Sequence, residues 1–72
     1  MNFLPETLEN LARLGANIEI GPNSGYLPET LEKIVRLASS REAHVVISAQ
    51  GLLPETLEKL ARIGRKNLTI KF

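Results

Sequence analysis

The sequence of 72 residues is long enough for one domain and too short for two, since a chain of this size buries only about 60 % of its unfolded surface. An apolar fraction of 43 % and a charged fraction of 24 % are ordinary globular values and exclude wholesale disorder, while a net charge of +1 is by itself no polyanion-binding signature. Cysteine is absent, which removes disulfides, thiolate metal sites and a Cys nucleophile and fits a reducing, cytoplasmic location. No stretch approaches the roughly 20 apolar residues that a bilayer requires, and the first residues carry no basic segment, so neither a membrane span nor a signal peptide is expected.

The string Leu-Pro-Glu-Thr-Leu-Glu occurs three times, at Leu4–Glu9, Leu27–Glu32 and Leu53–Glu58, each time after a large apolar residue (Phe3, Tyr26, Leu52). A period in the twenties marks stacked units, none of which buries its apolar face alone. The three units are expected at 1–22, 23–48 and 49–72 of a single domain.

In unit one a helix starts at Pro5, where a missing N–H costs nothing, with Leu8, Leu11 and Ala12 on its apolar face. Gly15 stands where a left-handed residue ends it, and Asn17–Ile20 alternates as a half-buried strand. Unit two repeats this with a helix from Pro28, apolar at Leu31, Ile34 and Val35 and running on toward Ser40, then a strand over His44–Ile47. Unit three has a helix from Pro54, apolar at Leu57, Leu60 and Ala61, a glycine stop at Gly64, and a strand over Asn67–Ile70 extended by Phe72.

The order αβαβαβ predicts an α/β fold of three αβ repeats, with a three-stranded parallel sheet and right-handed crossovers. Because the strands alternate, helices cover one face only, and Ile18, Ile20, Val45, Ile47, Leu68 and Ile70 point toward them. The run Ile18-Glu19-Ile20-Gly21-Pro22-Asn23, followed by Leu27-Pro28 and Leu31, resembles the leucine-rich-repeat pattern. Val45 to Gln50, followed by Leu53-Pro54 and Leu57, repeats it with Gln in the Asn place. The resemblance implies a binding scaffold whose ligands lie on the strand face. The spacing departs from that family between Leu14 and Ile18, more so between Leu37 and Val45, and the third unit ends before its turn.

No catalytic residue, metal site or cofactor is expected. His44 is the sole histidine, and Ser48 on the same side of its strand is roughly 13 Å away, too far for a nucleophile–base bond. The glutamates fall four residues before a cation (Glu9–Arg13, Glu32–Arg36, Glu58–Arg62, Glu29–Lys33, Glu55–Lys59), which reads as exposed i,i+4 pairing. Gly21 and Gly25 lie between a strand and a helix, but neither a dinucleotide fingerprint nor a P-loop ending accompanies them.

Two surfaces remain. The open sheet face presents Asn17, Glu19, His44, Val46, Ser48, Asn67, Thr69 and Lys71, in rows Asn17–His44–Asn67 and Glu19–Val46–Thr69. A basic cluster, Arg62, Arg65 and Lys66 with Lys71, extends through Arg36, Arg41 and Lys59 into a stripe for nucleic-acid phosphates. The glutamates in register and the missing aromatics count against it. The expected function is a non-enzymatic interaction or self-assembly module whose partner is itself, as a homodimer or larger, or another protein; the alternative is a small nucleic-acid-binding regulator. Self-association follows from unpaired sheet edges and from apolar Leu8, Leu11, Leu57 and Leu60 left partly exposed on the outer units. A closed two-fold contact is the commonest remedy.

Overall fold

The computed structural model describes residues 3–72; Met1 and Asn2, which open the first expected unit, lie outside the described residues. The elements are α1 (Pro5–Arg13), β1 (Ile18–Ile20), α2 (Pro28–Ser40), β2 (Val45–Ser48), α3 (Pro54–Gly64), a 3-10 turn (Arg65–Asn67) and β3 (Leu68–Lys71). The fold is α/β, helix alternating with strand, and the three strands form a parallel sheet in the order β1-β2-β3.

All three helices start at the proline of the repeated hexapeptide. The preceding leucine is extended each time, because a proline ring pushes its predecessor out of the helical region. No side chain caps these ends; the N–H groups of Leu8, Leu31 and Leu57 donate to the carbonyls of the leucines four residues back, Leu4, Leu27 and Leu53. The three leucines pay for that placement in exposure, each showing about 65 % of its surface.

The helix ends differ. At α1 the N–H of Gly15 bonds to the carbonyl of Ala12 and that of Ala16 to Leu11, the two bonds of a Schellman cap, with Gly15 left-handed as expected. Helix α2 ends in the same motif, the N–H of Glu42 bonding to Ser39 and that of Ala43 to Ala38, but its left-handed residue is Glu42 at φ 59°. A side chain there costs about 1–2 kcal/mol, and glycine returns roughly half through its looser unfolded chain. Glu42→Gly is expected to raise stability by about 0.5–1 kcal/mol, read as a higher denaturation midpoint at unchanged slope.

Helix α3 corrects the expectation for Gly64. It is not a left-handed cap but the last helical residue, buried, at φ −84°. A Cβ at this position would sit 2.7 Å from Leu68 Cβ and 2.8 Å from Val35 Cγ1, so its absence lets α3 close onto its neighbours. The positive φ passes to Arg65 (φ 51°, ψ −125°), a conformation side chains rarely adopt.

The strands pair in the register the alternation predicts: Ile18, Val45 and Leu68 stand in one row and Ile20, Ile47 and Ile70 in another. These residues meet Leu8, Ala12, Leu31, Ile34, Val35, Ala38 and Leu60 from the helices in one core. Extents of 28 × 28 × 18 Å leave room for one sheet and one helix layer. Each strand begins one residue later than expected, because Asn17 and Asn67 use their side chains to join strands at their entry. Asn17 Oδ1 accepts the His44 N–H (2.8 Å) and Asn67 Nδ2 donates to the Ala43 carbonyl (3.1 Å).

The expected i,i+4 ion pairs are absent among the described residues. Glu9 of α1 instead pairs with Lys33 of α2 (3.3 Å), and Glu32 of α2 with Lys59 of α3 (3.5 Å). The carboxylates lie half-buried between adjacent helices, 19 % and 17 % exposed, with the lysines reaching over from outside. Each rung is worth up to about 1 kcal/mol at such a solvated site.

Candidate functional site

The topology gathers the expected face residues on the side of the sheet away from the helices, and Glu19, Val46 and Thr69 form the predicted row. Two pairs of the face residues meet, Lys71 with Glu19 and His44 with Thr69, and three others bond to backbone. Lys71 Nζ reaches across to Glu19 (3.6 Å), joining the two outer strands over the half-buried Val46. Ser48 Oγ accepts the Gln50 N–H at 3.3 Å. Asn17 and Asn67 serve the backbone at the strand entries. These contacts leave Asn17 Nδ2, Asn67 Oδ1 and the second ring nitrogen of His44 without a hydrogen bond among the described residues.

One expectation about this face is corrected. A hydroxyl does lie within reach of the His44 ring: Nε2 is 2.7 Å from Thr69 Oγ1 on the neighbouring strand. The reason is diagonal reach in a parallel pair, where Thr69 stands beside Val46 and the imidazole leans over from two residues before it. The pair has the distance of a nucleophile and its base. Among the described residues, however, no third group holds the other ring nitrogen, and neither residue lines a cleft.

Two clefts lie at opposite ends of the helices. The first, about 340 Å³, opens where β1 and β2 deliver the chain to α2 and α3, between Asn23, Ser24, Tyr26, Gln50 and Leu52 over Ile20, Leu31 and Ile47. Tyr26 crosses the top of this end and donates its hydroxyl to the Phe3 carbonyl, tying the second unit to the first. The second, about 710 Å³, opens at the other end, where α2 and α3 finish. It brings together Arg36, Arg62, Arg65 and Lys66, all exposed, with Glu42 and Ser39. The sequence singles out Arg62, Arg65 and Lys66 and associates Arg36 with them; Ser39 and Glu42 carry no sequence signal for this role. Lys59 and Lys71 do not join them, being held by Glu32 and Glu19.

Comparison of the chain with protein families, curated proteins and solved structures finds no match.

The two flanks of the repeat stack complete the picture. Within each helix one position faces the preceding unit and two face the following one. The backward position is Leu11, Ile34 or Leu60; it is buried in α2 and α3, where a preceding unit exists, and 40 % exposed in α1. The forward positions are Leu8 and Ala12, Leu31 and Val35, Leu57 and Ala61. The first two pairs are buried, whereas Leu57 is half-buried and Ala61 exposed. The expectation that Leu8 and Leu60 are also left open is thus corrected, since both point inward toward α2.

Proposed function

We propose that this chain is a non-enzymatic αβ-repeat module that associates with further copies of itself, unit three of one copy against unit one of the next. The observation that carries the reading is the complementary pair of flanks: Leu57 and Ala61 stand on one side as Leu31 and Val35 do before Leu60, and Leu11 stands on the other as Ile34 does before Leu8 and Ala12. Stacking copies in this way repeats a contact the chain already makes twice internally. It also pairs the free edge of β3 with the free edge of β1, removing two rows of unpaired backbone groups. The flanks are unlike, so the contact is heterologous; a two-fold contact would set each flank against its own kind.

Sedimentation equilibrium across micromolar concentrations is expected to show a mass rising above 8.0 kDa, with little response to salt. Leu11→Glu and Ala61→Glu, each on an exposed flank position, are expected to weaken self-association singly. An equimolar mixture of the two variants is expected to form a heterodimer, because each retains the flank the other lacks. A single 8.0 kDa species at every concentration overturns the reading, and a mixture that stays monomeric while the wild type associates overturns the flank assignment.

A further inference from the structure

We infer that the cleft at the C-terminal ends of α2 and α3 is a binding site for a small phosphate-bearing anion, of the size of a nucleotide or a sugar phosphate. The inference does not depend on self-association, since it uses neither flank.

A cross-helix rung frees Arg36 for this site. In the sequence Arg36 stands four residues after Glu32 and Arg62 four after Glu58, spacings that would neutralise both guanidinium groups locally. In the structure Glu32 turns to Lys59, and none of Arg36, Arg62, Arg65 and Lys66 takes part in an ion pair among the described residues. Two helices, the turn after α3 and a strained residue aim these four cations at one concavity.

A charge balance selects the ligand. Four positive charges face one carboxylate, Glu42, and the ends of two helices, each equivalent to roughly half a negative charge. About two positive charges remain, which matches a phosphate monoester dianion or the two charges of a pyrophosphate diester and exceeds what a lone carboxylate would neutralise. Guanidinium forks suit phosphate oxygens in particular. Ser39 also lines the cleft, with its Oγ shielded from solvent and without a hydrogen-bond partner among the described residues, so contact with a ligand requires its side chain to turn outward. The volume of about 710 Å³ falls in the range of small-molecule sites. No aromatic residue lines the cleft, so nothing is placed to stack on bases, and recognition rests on the phosphate.

Arg65 gives the inference a second handle. At φ 51° and ψ −125° its backbone is one that glycine adopts freely, so a side chain kept there is held at a cost to stability. Arg65→Gly is expected to raise the melting temperature while weakening anion binding.

The test is calorimetric titration of the protein with inorganic pyrophosphate at low salt. Saturable binding at one site per chain is expected, weakened about tenfold or more by the double variant Arg36→Gln, Arg62→Gln, given the strength of charge-assisted hydrogen bonds. Both residues are exposed, and an unchanged melting curve checks that the variant folds. Lys59→Gln removes one positive charge outside the cleft and is expected to leave binding within twofold. Absence of saturable binding overturns the site, as does an equal loss in Lys59→Gln, which would mean a diffuse charge effect. A single-stranded RNA whose affinity grows with length and that pyrophosphate does not displace also overturns it, in favour of an extended nucleic-acid track.

Discussion

Leu31→Ala is expected to destabilise the protein by about 2–5 kcal/mol, enough to leave a domain of this size largely unfolded near room temperature. Leu31 belongs to the central helix, is 1 % exposed, and lies in the one core that the three helices and the sheet share. Truncation leaves a void into which the close-packed surroundings relax only in part, so a cavity term adds to the lost transfer free energy. Replacing the adjacent Glu32 by Gln breaks one rung and is expected to cost under about 1 kcal/mol. Urea denaturation of the two variants checks the ranking; the reverse order would mean that charge at the helix seams, and not burial beneath them, holds the layer together.

Gly64→Ala is expected to lower stability by about 2 kcal/mol although it places alanine in a helix. Helix propensity favours the substitution by about 0.8–1 kcal/mol. Packing opposes it more strongly, because the new methyl group meets Leu68 Cβ at 2.7 Å and Val35 Cγ1 at 2.8 Å. The first atom is rooted in the backbone of β3 and the second in a stiff branched side chain, so relief requires moving a strand or a helix. Overpacking of this kind costs about 1–3 kcal/mol, here toward the upper limit because two neighbours are struck at once. A fall in melting temperature of roughly 8–16 °C follows for a domain this small. Val35→Ala removes one of the two obstacles, so the double variant is expected to be more stable than the sum of its parts predicts, a coupling measurable in a double-mutant cycle. A rise in melting temperature for Gly64→Ala would show that α3 does not close onto β3 as described.

The contrast between Gly15 and Gly64 shows where sequence reading succeeds and where it stops. Both glycines stand at the same distance from the helix-starting proline, and local rules treat them alike. Gly15 is the left-handed cap those rules require, while Gly64 is wanted for the side chain it lacks, a demand set by Val35 and Leu68 from other units. The helix starts and strand register were legible because proline geometry and strict alternation act within a few residues. The glutamate partners were not, because the helix-to-helix distance that lets Glu9 reach Lys33 depends on side chains in both helices. The same limit governs the basic cleft. Its residues are visible in the sequence, but an apparent partner four positions away hides the charge of Arg36 until Glu32 is seen bonded to Lys59, and that of Arg62 until Glu58 is seen without an ion pair among the described residues. Likewise His44 was placed on the correct face, and only the diagonal geometry of two strands discloses Thr69 at its ring.

The rungs between helices bear finally on how such a chain changes length. Every rung joins a glutamate of one unit to a lysine of the next, and the middle unit alone contributes to both, through Lys33 and Glu32. The first unit has Asn10 where the others have lysine, its Oδ1 engaged by Arg13 at 2.8 Å, and no described residue pairs with Glu58 of the third. Residues 23–48 are therefore a complete spacer carrying both halves of the joint. Four residues, Asn23 to Tyr26, precede Leu27, just as Ala49 to Leu52 precede Leu53, with Gly25 and Gly51 in the same place. A tandem duplication of 23–48 joins Ser48 to a second Asn23 without altering the connection, and supplies one more helix, one more strand and one more rung. A chain of four units is accordingly a single recombination step from this one, and each repetition adds another, keeping the same two terminal surfaces while the sheet between them widens.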